Sequence, residues 1–109
     1  MNLPSNIRVG YRDFTIEAWE PLDASGASRF GEMSNMAGII RVRADLPPQE
    51  MANTLLHEVI HAAHFIGGIQ GGEESEEHIT VILANQLTQV WRDNPEFVAF
   101  MSQCLTAAA

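Results

Sequence analysis

Residues 49–68 of this 109-residue chain have the sequence QEMANTLLHEVIHAAHFIGG, and this stretch decides the fold. Its apolar residues recur at spacings of three and four, which is the pattern of an amphipathic helix. These residues are Met51, Leu55, Leu56, Val59, Ile60, Ala62 and Ala63. Pro48 suits the first turn of a helix, and Gly67 and Gly68 are typical of a helix end. We therefore predict one long helix here.

The middle of the predicted helix carries the pattern His-Glu-x-x-His, from His57 to His61. Residues four apart lie nearly one above the other on a helix, with Cβ atoms about 5–6 Å apart. Two imidazoles at that distance can bind one ion, since a zinc–nitrogen bond is about 2.0–2.1 Å long. Glu58 lies off that face but near the ion's open side, where a carboxylate accepts a proton from zinc-bound water. The pattern therefore predicts zinc on His57 and His61, with Glu58 as the catalytic base.

Catalytic zinc usually takes three protein ligands, so a third ligand is expected elsewhere in the chain. Four acidic residues follow the glycine-rich end of the helix, namely Glu73, Glu74, Glu76 and Glu77. Such a run is also typical of a solvated helix start, whose dipole it complements. Glu76 lies on the apolar stripe of the next predicted helix, together with Leu83, and Glu77 lies beside that stripe. Periodicity favours Glu76, and both glutamates stay candidate metal ligands.

Two further histidines need an interpretation. His64 follows His57 by seven residues on the same side of the helix. A straight helix does not easily bring three imidazoles onto one ion, so we expect His64 to line a cleft or to pack. His78, in the next predicted helix, could be a third ligand or could stabilise a developing oxyanion. An ordinary, partly exposed histidine is an equally good interpretation of His78.

The rest of the chain predicts an α+β domain over residues 1–109, with a small N-terminal sheet or hairpin packed on three helices. Residues 7–16 alternate between apolar and polar, as in a half-buried strand that changes face near Asp13. Residues 21–35 are rich in Ser, Gly and Ala and are predicted to form a loop, and residues 38–44 a second strand. Ser75 is expected to cap the second helix, and Asn94 to cap the third, which begins at a proline.

The second predicted strand, residues 39–43, ends shortly before the histidine-bearing helix. If that strand is a sheet edge beside the metal, an extended peptide could add to it through backbone hydrogen bonds. This placement is a hypothesis from chain order.

Composition limits the function classes. The net charge is −8, from 14 acidic and 6 basic residues, and such a balance repels nucleic acids and anionic membranes. One cysteine, Cys104, cannot form an internal disulfide, which fits a reducing cytoplasm. Residues 1–10 lack a secretion-signal pattern, and the longest nearly apolar stretch, residues 59–69, is too short to span a bilayer.

Residues 53–62, NTLLHEVIHA, resemble the active helix of compact gluzincin-type zinc peptidases. Residues 76–85 and 92–96 (EEHITVILAN and RDNPE) are similar to small metallopeptidases encoded by bacteriophages and prophages. A more remote resemblance is to the ImmA/IrrE-type peptidases, which cleave repressors in mobile elements.

The resemblance implies a minimal zincin-like fold and a peptidase of the host cytoplasm. It also implies zinc at His57 and His61, an acid or base at Glu58, and a third ligand from Glu76 or Glu77. Larger gluzincins carry, four residues after the glutamate ligand, an aspartate that orients a ligand histidine. This chain has Thr80 and Val81 at those positions. It also has no room for the downstream domain that stabilises the oxyanion in larger gluzincins.

Three functions compete at this point. The first is a zinc-dependent peptidase that acts on a peptide or protein substrate, with no nucleic-acid or membrane partner. The second is a zinc-binding regulatory or interaction protein whose His-Glu-x-x-His site does not catalyse. The third is an acidic decoy for a DNA-binding protein, which needs no metal.

Overall fold

The computed structural model describes residues 2–20, 30–69 and 76–107, and for Glu76 and Glu77 it describes the backbone alone. The strands are β1 (Asn6–Val9), β2 (Arg12–Trp19), β3 (Gly31–Ser34) and β4 (Ile39–Arg43). The helices are α1 (Pro48–Ile66), α2 (Glu76–Asp93) and α3 (Pro95–Thr106). The strands form one mixed sheet in the order β1-β2-β4-β3, which confirms the predicted α+β class. Within the described ranges, no helix combines the length and apolar character needed to cross a membrane.

The N-terminal β-structure is a hairpin and not one strand with a change of face. β1 pairs antiparallel with β2, and Ile7 lies opposite Phe14. The chain reverses at Gly10, whose φ is +63°, and the next residue, Tyr11, is 81% exposed. Because the chain turns back, β1 and β2 both keep their apolar sides toward the core. The prediction of a shift near Asp13 was wrong, since the break in the alternation marks a turn.

The predicted second strand is confirmed as β4, but the hypothesis that it forms a sheet edge is wrong. β4 pairs parallel with β2 and antiparallel with β3, so it lies inside the sheet. The edge is β3, whose four residues fall within the predicted loop of residues 21–35. Residues 21–29 of that predicted loop lie outside the described residues.

A row of opposite charges crosses the solvent face of the sheet and matches the register of β2, β4 and β3. Arg41 on β4 lies opposite Glu17 on β2 and Glu32 on β3. Its Nε donates to Glu17 Oε1 at 3.1 Å and its Nη1 to Glu32 Oε1 at 2.9 Å. Such exposed pairs contribute little to stability, about 0–1 kcal/mol each, but opposite charges disfavour a slipped register.

Helix α1 is the central element, as its periodicity predicts. It contacts β1, β3, β4, α2 and α3. Its fully buried face carries Ala52, Leu55, Val59, Ala62 and Ala63, in one core with apolar residues of the sheet and of α3. Burying a leucine or valine contributes on the order of 1.5–3 kcal/mol, so this face fixes the rotation of α1 about its axis. α1 ends at the predicted glycines, and the Gly67 N–H donates to Ala63 O at 2.8 Å.

Asn94 lies at the predicted N-cap position of α3, but its side chain has another role. No side-chain hydrogen bond from Asn94 caps α3 in the described part of the chain. Instead, the Arg8 N–H donates to Asn94 Oδ1 at 2.7 Å, and Asn94 Nδ2 donates to Arg8 O at 2.9 Å and to Val90 O at 2.8 Å. Gln89 Oε1 accepts the Gly10 N–H at 2.7 Å. Two side-chain amides therefore close the outer edge of β1. The other predicted cap, Ser75, lies outside the described residues.

Replacing Asn94 by alanine should lower the free energy of unfolding by about 2–3 kcal/mol, because the partly buried Arg8 N–H and the buried Val90 carbonyl lose their side-chain partner. Urea denaturation followed by tryptophan fluorescence measures this change. Asn85→Ala, on the exposed face of α2, is the matched control and should change stability by no more than about 0.5 kcal/mol. Equal effects of both substitutions would contradict the role given to Asn94.

Candidate metal centre

The side chains of His57 and His61 lie together on the solvent face of α1. They are four residues apart on one helix, and both are exposed. Their Nε2 atoms are 3.1 Å apart and their ring centroids 4.7 Å apart. The core face of α1 forces this placement, because the buried residues occupy the opposite side of the helix.

The separation of the two nitrogens is close to what one zinc ion requires. With zinc–nitrogen bonds of about 2.0–2.1 Å and a tetrahedral angle, two ligand nitrogens lie about 3.3 Å apart. The observed 3.1 Å between His57 Nε2 and His61 Nε2 differs from that by a small rotation of either ring. The same distance fits a hydrogen bond from one ring N–H to the lone pair of the other ring. The pair therefore fits the metal without requiring it.

Glu58 is turned away from the imidazoles toward the edge strand. One residue after His57, it is rotated by about 100° on the helix. Its side chain is buried, with 7% of its surface exposed. It lies beside Gly31 of β3, where a methyl group added to that glycine would be 3.3 Å from Glu58 Oε2. The carboxylate is thus held at the contact between α1 and the sheet edge.

Gly31 permits this contact. A Cβ atom at this position would lie 2.8 Å from Thr54 Cγ2 and 2.9 Å from the backbone oxygen of Arg41. Both distances are shorter than van der Waals contact, so a residue with a side chain would push β3 away from α1. Sequence reasoning missed Gly31, because a glycine in a Ser- and Gly-rich segment does not reveal that a helix approaches it.

Two clefts flank Glu58 between β3 and α1. The large cleft, of about 540 Å³, follows the C-terminal half of α1. Its lining residues include Glu32, Met33, Asn35, His61, His64, Phe65 and Ile69. The small cleft, of about 290 Å³, follows the N-terminal half. Its lining residues include Phe30, Glu50, Asn53, Thr54 and His57. Gly31 and Glu58 line both clefts, so the carboxylate is reached from either side.

The other two histidines differ in their relation to these clefts. The ring of His64 lies 6.5 Å from that of His61, and His64 lines the large cleft. This placement agrees with the expected role in lining a cleft. His78 is exposed on α2 and lines neither cleft.

The third metal ligand remains a prediction. Glu73 and Glu74 lie outside the described residues, as do the side chains of Glu76 and Glu77. The backbone of the last two begins α2, as expected. Among the side chains that the structure describes, no group of three His, Cys, Asp or Glu residues could hold a metal ion.

One buried acceptor in the wall of the large cleft has no partner in the described part of the molecule. It is Asn35 Oδ1, in the turn between β3 and β4. A buried oxygen without a hydrogen bond costs about 1–3 kcal/mol. The sequence carries no signal for this residue, because its burial depends on how β3 packs against α1.

Comparison of this chain with known proteins adds no information about the site. No family model, no curated protein and no solved structure matches this chain.

Replacing Gly31 by alanine should destabilise the protein by about 1–3 kcal/mol, because the added methyl group overpacks the contact between β3 and α1. Thermal or urea denaturation measures the loss. Thr54→Ser removes the Cγ2 atom that the new methyl group meets first, so the double variant should recover part of the loss. A double variant whose losses simply add would show that Gly31 and Thr54 do not share this contact.

Proposed function

We propose that this protein is a zinc-dependent peptidase that hydrolyses peptide bonds with a metal-activated water. The observation that supports the proposal is the arrangement on α1. Two histidine nitrogens lie 3.1 Å apart on the open face, and a glutamate between them in sequence is held where two clefts meet. A chance pair of histidines on a helix would not be expected to lie beside a cleft and a buried carboxylate.

Each residue has a distinct task in this proposal. His57 and His61 would hold zinc through Nε2, and Glu76 or Glu77 would supply the third ligand. Bound there, zinc would polarise the scissile carbonyl and lower the pKa of its water to about 7. Glu58 accepts the proton of the attacking water at a carboxylate oxygen and passes it to the leaving amine. Its burial keeps that carboxylate in one place and limits competing contacts with solvent.

The edge strand supplies a binding surface for an extended peptide. The Arg43 N–H donates to Phe30 O at 2.8 Å, and hydrogen-bonding residues alternate along an antiparallel strand. Glu32 and Ser34 therefore face β4, and the backbone groups of Gly31 and Met33 point out of the sheet. Both of these residues line the large cleft. An added peptide strand would cross the candidate metal centre.

The family assignment belongs to the same proposal. A mixed sheet with an edge strand beside the histidine-bearing helix suits a minimal zincin-like arrangement. We propose that the chain is a compact peptidase of the gluzincin type, remotely similar to the ImmA/IrrE-type peptidases. A bacteriophage or prophage origin and action in the host cytoplasm follow from that resemblance.

The first test is the zinc content of the purified protein by elemental analysis. We expect about one zinc per chain in the wild type and none in the His57→Ala/His61→Ala variant. His64→Ala is the matched control, since it removes a neighbouring imidazole outside the chelating pair, and it should retain the metal. In the same experiment, Glu58→Gln should keep its zinc but lose about 100-fold or more of peptide turnover.

The outcomes separate the competing functions. Zinc without any peptide turnover would favour a regulatory or interaction protein with a non-catalytic site. Turnover that survives Glu58→Gln would contradict the base assigned here. No metal in the wild type, even after zinc is supplied, would remove the peptidase and leave the acidic decoy or a plain scaffold.

A proline at position 33 tests the edge strand. Met33→Pro removes an outward backbone N–H and leaves the hydrogen bonds to β4 in place, because those belong to Glu32 and Ser34. We expect zinc content to stay the same and kcat/KM for peptides to fall about tenfold. Met33→Ala removes the side chain but keeps the N–H, and both variants are compared on a peptide with alanine before the cleaved bond. A matching loss in Met33→Ala on that peptide would show that the side chain, and not the strand edge, matters.

A further inference from the structure

The large cleft contains an apolar patch among its polar lining residues. Met33, Phe65 and Ile69 line it, and Phe65 leaves 46% of its surface exposed. Two carboxylates line it: Glu32 is paired with Arg41 at 2.9 Å, and Glu58, the proposed base, is shared with the small cleft. An apolar side chain bound there would cover the exposed aromatic surface of Phe65, and Glu32 would keep its ion pair with Arg41.

The small cleft is lined by a carboxylate in the first turn of α1, whose charge the positive end of the helix offsets only in part. Glu50 lines it beside Asn53 and forms no ion pair with any described residue. Arg43, which lies 5.7 Å from the ring of Phe30 at this cleft, is bound to Asp45 at 2.8 Å. The chain contains no lysine, and no described arginine lines either cleft. A basic side chain is the group that this surface suits best.

The direction of β3 relates the two clefts to the direction of a bound peptide. β3 runs from Gly31, which borders the small cleft, toward Asn35, which borders the large one. Antiparallel strand pairing is slightly more stable per residue than parallel pairing. A peptide that adds antiparallel to β3 therefore lays its N-terminal half along the large cleft and its C-terminal half along the small one.

We infer that this site selects peptides with a large apolar residue before the cleaved bond and an arginine or lysine after it. The inference rests on the proposed function, since it names the substrate of the same site. Glu50 is the specificity-determining residue for the basic side chain, and Phe65 with Met33 for the apolar one.

The test uses three octapeptides with the same Gly, Ser and Ala flanks and a central Leu-Arg, Arg-Leu or Leu-Gln pair. Mass spectrometry of digests by the zinc-loaded protein gives the cleavage position and kcat/KM. The Leu-Arg peptide should be cut between its central residues about fivefold faster than the Leu-Gln peptide, since a partly exposed ion pair contributes at most about 1 kcal/mol. The Arg-Leu peptide should be the slowest.

Two variants and a salt series test whether the charge of Glu50 is the cause. Glu50→Gln should bring the ratio between the Leu-Arg and Leu-Gln peptides close to one. Glu96→Gln removes the same charge from the exposed start of α3, outside both clefts, and should keep the ratio. At 1 M salt the Debye length falls to about 3 Å, so the preference for arginine should shrink while the preference for leucine persists.

Binding separates the failure of this inference from the failure of the peptidase. Fluorescence anisotropy measures binding of labelled peptides to the Glu58→Gln protein with zinc supplied. Preferential, Glu50-dependent binding without cleavage by the wild type would support the cleft assignment and overturn the peptidase. Cleavage without preference, or with Arg-Leu preferred, would overturn the inference and leave the peptidase. Neither binding preference nor cleavage would overturn both.

Discussion

The rotation of α1 about its axis is the constraint on which the rest of the structure depends. Leu55, Val59 and the two alanines that follow are fully buried against the sheet and α3, and they leave one helix face to solvent. Helical geometry then determines where every other residue of α1 lies. His57 and His61 lie on the open face, and Glu58 lies on the boundary between the core and the cleft. α1 can therefore carry both the core residues and the candidate metal ligands, because the two sets lie on different faces of the helix.

The two edge strands of the sheet, β1 and β3, differ in whether side chains bond to their outward backbone groups. At β1, the amides of Asn94 and Gln89 bond to backbone groups that would otherwise be free to pair with another strand. Unprotected edges invite association with other chains, so this closure limits one route to aggregation. At β3, the outward groups of Gly31 and Met33 line a cleft instead. The asymmetry suits a sheet that accepts an extended peptide on one side only.

Sequence reasoning predicts those elements of this fold whose signals lie within the element or next to it. The periodicity of residues 49–66 and the flanking proline and glycines predict α1 closely, because these signals act within a few turns of the helix. β3 was missed since its sequence, GEMS, has no β-branched residue and no alternation. Its pairing depends on β4 and on the approach of Thr54, both distant in sequence. Asn94 shows the same limit, because its partner Arg8 is 86 residues away.

The contact of Glu58 with β3 links the proposed catalytic base to the strand edge that is proposed to bind the substrate. In the proposed peptidase, the carboxylate that moves the proton lies against Gly31, and the backbone of that glycine belongs to the edge that binds the substrate. A displacement of β3 would therefore change the position of the base and the position of the scissile bond together. Substitutions in β3 that act by displacement should lower kcat as well as raise KM, whereas those that act only on a subsite change the ratio between substrates. A domain of this size has few layers in which to separate these effects. In the proposed peptidase, Glu50 and Phe65 border the two clefts from α1, so they can act on specificity without supporting the strand.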